Sequence, residues 1–382
     1  MESRDAHAAR ISDSDVARGP ELGRVAKAGY VPMPGRREYV TIALLAVEIV
    51  IFALLVPNFL HPNNVSTVLR NATELAIVSI GMTMVMVLGG IDVSVGSALG
   101  VVAIVVAWQI QTGMHPLAIA LVALVAGMAI GLMNGALVTW VRIPAIITTL
   151  GTMNILRAAV FGMLGGRWIT GLPPVFAGLT AGSFLGVPMS VYLMMVLYLI
   201  FWYLLTFTPF GRHIYAVGNN AEAAVLVGIN VKRTQILTYM LLGSLVGVAS
   251  LLYVGRLGSV EITVGQDLAI QSIAAVVIGG TSVLGGRGSL VGTLAGVLFM
   301  AFMRNGIVLL GVPSLWERAI IGALVILSAA VDLLVERRTA RHRLAERSIK
   351  RASASSISST IPGALRAGDG STAGGAATPG SQ

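Results

Sequence analysis

Between residues 39 and 335 the chain carries only nineteen formally charged side chains, eleven basic and eight acidic, spread over nearly 300 residues. Apolar stretches recur through that interval at the length needed to cross about 30 Å of hydrocarbon, with polar or Pro/Gly punctuation between them. We read spans at 40–57, 73–90, 94–111, 117–140, 145–164, 190–207, 234–255, 268–284, 289–310 and 317–335. The expected fold is therefore all-α, a polytopic membrane protein of about ten transmembrane helices. The second and third spans are parted only by Gly89-Gly90-Ile91-Asp92, and the eighth is short and ends in glycine, so these elements are expected to be broken or re-entrant. A soluble globule is excluded, because its charged fraction is nearer a quarter than the 11% present here.

Residues 1–38 are polar with seven basic and six acidic side chains, and lack the apolar core and cleavage site of a secretory signal. They are expected to form a disordered cytoplasmic lead-in. Residues 336–382 hold eight Lys/Arg and three Asp/Glu, then turn rich in Ser, Ala and Gly, too poor in large apolar groups to offset ordering entropy. The net charge of +9 sits largely in this tail, directly after an apolar segment. Basic residues there set topology and do not indicate nucleic-acid binding. With the N-terminus inside, Lys27, Arg36, Arg37, Arg142, Arg212, Lys232, Arg233, Arg287 and the basic residues after 335 all fall on the cytoplasmic side. Both termini are then cytoplasmic, which an even number of crossings satisfies.

The chain has no cysteine, and its five histidines show no ligand spacing, so thiol chemistry and a metal centre are not expected. No paired carboxylates or nucleophile constellation suggests an enzyme, and no string of acids crosses the membrane as a proton relay would require. The polar groups that do enter the apolar interval are path candidates. Asp92, Ser94 and Ser97 stand in Leu88-Gly-Gly-Ile-Asp-Val-Ser-Val-Gly-Ser97, where glycines free backbone groups that membrane depth tolerates only against protein or a wet cavity. Asp92 alternatively caps the following helix. Asn71, Glu74, Asp267 and Gln271 lie near the predicted outer ends of two spans, where water can reach the acids. Gly127, Gly131 and Gly135 repeat every four residues, a pattern for close helix packing. In Gly279-Gly-Thr-Ser-Val-Leu-Gly-Gly-Arg-Gly-Ser289 a phosphate-loop spacing is present, but Gly286 stands where its lysine belongs. Glu74-Leu-Ala-Ile-Val-Ser-Ile80 echoes Asp267-Leu-Ala-Ile-Gln-Ser-Ile273, and six crossings between the copies would make the relation parallel.

The loop 208–230 carries the most informative soluble feature. Asn219 is expected to cap a helical stub of two to three turns, Glu222 to complete a reciprocal cap at its positive end, and Gly228 to terminate it. Ala221, Ala224, Val225 and Ile229 give the stub an apolar side, suited to docking on a partner or lying on lipid.

Four motifs then carry a resemblance: Leu88–Ser97, Ile143-Pro-Ala-Ile-Ile-Thr-Thr-Leu-Gly-Thr152, Gly211-Arg-His-Ile-Tyr-Ala-Val-Gly-Asn-Asn-Ala-Glu-Ala-Ala224 and Ile278–Ser289. In order and spacing over about 40–335 they resemble the permease subunits of bacterial sugar ABC importers of the ribose, xylose, arabinose, rhamnose and autoinducer-2 type. The stretch Gly165–Pro174 is most similar to rhamnose or autoinducer-2 permeases. The resemblance implies a multi-pass inner-membrane permease that works as a pair. An extracytoplasmic sugar-binding protein would feed it, and a cytoplasmic ATPase that holds the ATP would drive it, with no cofactor in this chain. It also implies that Gly211, Arg212, Asn219, Asn220, Ala221, Glu222, Ala223, Ala224, Gly228 and Ile229 belong to the segment seated in the ATPase cleft. Trp168 either stacks on a sugar face or anchors at the outer interface. The competing function is a self-contained channel or ion-coupled carrier.

Overall fold

The structure is a computed structural model that describes residues 36–313 and six helical positions between Trp316 and Ile326. The expected lead-in, the basic tail and most of the span at 317–335 lie outside the described residues. The helices are α1 (Arg36–Leu55), α2 (Pro62–Val87), α3 (Val95–Gln111), α4 (Pro116–Ala136, continued as a π turn over Leu137–Val141) and α5 (Ala145–Leu164). A four-residue α6 (Ala177–Thr180) and a two-stranded hairpin, β1 (Ser183–Phe184) and β2 (Val187–Pro188), lead into α7 (Met189–Phe207). Then follow α8 (Pro209–Asn219), α9 (Ala221–Leu226), α10 (Val231–Leu257), α11 (Leu268–Ile278) and α12 (Leu290–Leu309).

Seven of these helices are long and apolar enough to cross a membrane, and α3 and α11 are shorter apolar helices. The chain is an all-α polytopic membrane protein. The span expected at 268–284 is an 11-residue helix, about 16 Å long, followed by a loop that runs to Ser289. α11 is thus the broken element that its terminal glycines foretold.

Helix starts follow local chemistry. His61 and His115 each precede a proline, and each ring Nδ1 accepts the backbone N–H two residues on, at 3.4 and 3.3 Å. These two histidines are caps. Glycines at positive φ end α5 and α10, at Gly165 and Gly258.

α2 is the axis of the bundle, with every residue from Ala72 to Val87 buried. α4 and α10 pack through glycine. A Cβ on Gly127 would overlap the Gly243 carbonyl, and one on Gly131 the Tyr239 carbonyl, while Gly243 and Gly247 meet α4 in return. The four-residue glycine period is therefore a packing seam, where close backbone approach yields the dispersion contacts that hold helices together in lipid.

The repeated heptapeptide has a structural counterpart. Ser79 Oγ donates to Ser272 Oγ at 3.4 Å, so the equivalent serines of the two copies touch. Past them, Gly286 N donates to Val87 O at 2.7 Å, so α2 and α11 lead in the same direction to one meeting point. Both end in the same cap. Gly90 N bonds Val85 O and Gly89 N bonds Met86 O, while Thr281 N bonds Val276 O and Gly280 N bonds Val277 O, with φ +90 at Gly89 and at Gly280. Five apolar helices, α3, α4, α5, α7 and α10, lie between α2 and α11, an odd number, and the relation is parallel.

Candidate functional site

Where α2 ends, α8 packs against it and against the glycine loop that follows α11. Thr208 caps α8 by accepting Gly211 N at 3.3 Å, and Pro209 occupies its first turn. At its other end Gly218 sits so close that a Cβ would overlap the Val87 carbonyl oxygen and approach Gly286 N. Tyr215 Oη donates to Gly288 O at 2.8 Å, and Asn219 Nδ2 to Tyr215 O at 2.9 Å and Gly286 O at 3.3 Å. Gly285 in turn packs on Gly89, where a Cβ would stand 2.9 Å from its Cα. Gly285 and Gly286 have φ of +88 and +74, a backbone that side chains rarely adopt. Two glycine turns and one helix are thus joined by close backbone contact at Gly218, Gly285 and Gly89, and by the Tyr215 and Asn219 side chains that bond the second turn.

The stub differs in detail from its sequence reading. Asn220, not Asn219, is the cap of α9, its Oδ1 accepting Ala223 N at 3.0 Å, because Asn219 is still helical and is taken up by Gly286. Glu222 is consequently the second residue of α9, still in its first turn, where its charge suits the helix dipole but does not close a reciprocal cap. α9 is six residues long, shorter than the two to three turns expected, and Gly228 ends the segment at φ +83 as foreseen. Ala224 is buried beneath it, Ile229 is half-buried, and Arg212, Ala221, Glu222 and Ala223 are exposed. The apolar tip is Val225-Leu226-Val227, with Leu226 87% exposed.

Above the first turn, Asp92 is fully enclosed. Its Oδ1 accepts Ser94 N at 2.8 Å and Ser94 Oγ at 2.6 Å, and its Oδ2 accepts Asn134 Nδ2 at 3.1 Å. Asn134 Nδ2 also donates to Ser94 Oγ at 2.8 Å. Ser94 holds the N-cap position of α3, and Asp92 satisfies that residue's donors from two positions upstream, so it serves the helix start without being the cap itself. The cluster ties the start of α3 to α4, and Ser97 lies buried one turn further on. These three residues face packed protein.

The other candidates assemble about 20 Å from the turns, 13 residues back along α2. Because α2 starts at Pro62, eleven residues before the predicted boundary, Glu74 lies midway along it and not near an end. Its Oε1 accepts Arg256 Nε at 2.8 Å, and Arg256 Nη1 donates to Asn71 Oδ1 at 3.1 Å. Asp267 stands at the start of α11, level with Glu74 in the repeat, and Gln271 one turn below. Together they line two adjoining cavities of about 370 and 400 Å³ that share Asn71, Arg256, Gln271 and Arg304. Arg157 anchors the segment descending into this chamber, its Nη1 donating to Val264 O at 3.0 Å. Arg256 was overlooked as a site residue, although a lone arginine away from the loop-side cluster of basic residues is the signal that could have found it. Trp168 does not join the chamber. It is 58% exposed, next to Ile169, whose backbone bridges to Val260.

Comparison with known proteins fits this geometry. Residues 64–329 match the family model described as branched-chain amino acid transport system / permease component. The chain belongs to this permease family. It is 38% identical over 290 residues to the ribose import permease protein RbsC of Bacillus subtilis, covering 75% of this chain and 90% of that one. Against RbsC of Escherichia coli K12 it is 38% identical over 299 residues, 77% and 93% of the two chains. Against the autoinducer 2 import system permease protein LsrC of Photorhabdus laumondii it is 36% identical over 258 residues, 68% and 78%. No solved structure matches the chain. It is a multi-pass permease of the bacterial inner membrane, of the kind that works with an ATPase and a binding protein.

Proposed function

We propose that the chain is the membrane-spanning subunit of an ATP-binding cassette importer for a monosaccharide or sugar-like solute of the ribose, rhamnose or autoinducer-2 type. It pairs with a second permease subunit, receives solute from an extracytoplasmic sugar-binding protein and takes its energy from a cytoplasmic ATPase that holds the ATP. The chain itself carries no cofactor and catalyses no reaction, and it binds lipid but no nucleic acid. Both termini are cytoplasmic, which puts the loop 208–230 on the ATPase side.

The observation that carries this reading is the exposed Val225-Leu226-Val227 tip on a stub whose supporting helix is fused to two glycine turns. An apolar tip of that kind is covered by a partner. When the ATPase closes, displacement of α9 passes through Asn219, Tyr215 and Gly218 into the ends of α2 and α11 and the start of α12. α7 and α10, which flank the loop, move with it. Asn71, Glu74, Asp267 and Gln271, with Arg256, then form the polar chamber along the solute route. Carboxylate, carboxamide and guanidinium groups supply the donors and acceptors that replace water around sugar hydroxyls.

Reconstitution tests the reading. Proteoliposomes holding the chain, its ATPase and its binding protein take up labelled sugar on addition of ATP, and those holding the chain alone take up none. Uphill uptake by the chain alone would establish the self-contained carrier in its place.

A further inference from the structure

A third cavity, of about 640 Å³, opens beside the stub between the elbow joining α4 to α5 and the elbow joining α9 to α10. Among the described residues its walls carry two cations, Arg142 and Lys232, and no carboxylate. Neither cation has an acidic partner among the described residues. Two helices also point their positive ends at the space. α5 begins at Ala145 behind Pro144, with no side chain among the described residues capping its first N–H groups, and α10 begins at Val231 behind Asn230, whose Oδ1 takes one of its N–H groups, that of Arg233, at 3.0 Å. Unpaired N–H groups and the aligned dipoles of helix starts favour an anion.

A separate observation points to an occupant. Tyr239 is 1% exposed and lines the cavity, and its hydroxyl has no hydrogen-bond partner among the described residues. The hydroxyl stands beside Gly90 on the cavity wall, 2.7 Å from where a Cβ there would be. A buried donor left without an acceptor is costly, and an acceptor in the cavity would relieve it. Asp92, which accepts from Ser94 and Asn134, makes no hydrogen bond to the Tyr239 hydroxyl. Arg142 is held at φ +63 at the end of the π turn, a backbone conformation uncommon for any residue but glycine, asparagine or aspartate.

We propose that this cavity binds a phosphate group, that of a soluble phosphorylated compound or of an acidic lipid headgroup. Arg142 and Lys232 hold its oxygens, the starts of α5 and α10 face it, and Tyr239 donates from the floor. Bound there, the anion ties the stub's elbow to the α4–α5 elbow and restrains the stub.

The test is thermal unfolding of the full-length chain in nanodiscs. In phosphatidylcholine discs, inorganic phosphate raises the unfolding temperature in a saturable way if the source is soluble. If the source is lipid, phosphate does nothing and replacing part of the phosphatidylcholine by phosphatidylglycerol raises it. In either case the double substitution Arg142→Asn and Lys232→Gln, chosen because asparagine suits a left-handed backbone, abolishes the shift while leaving the size-exclusion profile unchanged. Tyr239→Phe weakens half-saturation about tenfold, as loss of a hydrogen bond to a charged group implies. No shift with either additive, or a shift that survives the double substitution, overturns the proposal. Since binding is read without transport, the outcome is independent of the importer reading.

Discussion

The glycine-turn end of the bundle and the chamber midway along α2 are built on opposite principles. At the turns, Gly89, Gly218, Gly285 and Gly286 bring three backbones into contact, and the carbonyls of Val87, Gly286 and Gly288 are gripped directly. In the chamber the same helices are held apart by long polar side chains, Glu74, Arg256, Asn71 and Gln271, around open volume. Backbone contact cannot adjust without moving whole helices, whereas rotamer-rich side chains can exchange partners with a passing solute. One end transmits displacement and the other accommodates cargo.

Substitutions break this contrast in a definite order. Gly218→Val should have the largest effect, because its Cβ alone would meet the Val87 and Gly286 backbone: uptake in proteoliposomes falls to background while the ATPase still co-purifies. Glu222→Arg, which opposes the dipole of α9 and alters the docking tip, should abolish either co-purification or uptake with membrane insertion intact. Retained uptake would remove the docking role from α9. Asp92→Ala should cost uptake with the ATPase still bound, since it frees Ser94 at the start of α3 and Asn134 on α4. The accompanying loss of stability is about 1–3 kcal/mol, read by thermal unfolding. Glu74→Gln should have a milder outcome, a reduced uptake rate at unchanged ATPase binding, because the carboxamide still accepts from Arg256 but without the charge. Should Glu74→Gln prove as severe as Gly218→Val, the chamber would be rigid and the contrast would fail. Trp168→Ala, outside both regions, should leave uptake nearly unchanged, as an interface anchor would.

Much of this was legible from residue pattern, and the reasons for the rest are physical. Hydropathy set the lengths of α5 and α7 to within a residue, because both are bounded by sharp Pro or Gly signals. It misplaced the start of α2, since Asn63, Asn64, Asn71 and Glu74 dilute the apolar signal over a turn-rich stretch that the fold keeps helical behind Pro62. Glu74 thereby moved from an expected end to the middle of a helix. The stub was visible as a capped polar segment. Its cap shifted by one residue because Asn219 and Asn220 are equally good caps locally, and only Gly286, 67 positions away, decides between them. The heptapeptide echo could be counted but not interpreted until Ser79 and Ser272 were seen to touch. The union of α8 with both glycine turns left no trace in periodicity, as glycine carries no hydrophobic signal.

The central claim is that the stub, α8 and the two glycine turns move as one body. Because the chain has no cysteine, the pair Leu226→Cys and Leu284→Cys, and in a second variant Leu284→Cys and Trp168→Cys, place labels in this subunit at the chosen positions alone. Leu226 and Leu284 are 87% and 64% exposed, on the stub tip and the second turn. Spin-label distances measured by double electron–electron resonance in the assembled transporter, with and without ATP, test the claim directly. The 226–284 distance should stay unchanged on adding ATP, while the distance from 284 to a label at position 168 shifts. A 226–284 distance that changes with ATP while 284 to 168 stays fixed would contradict it.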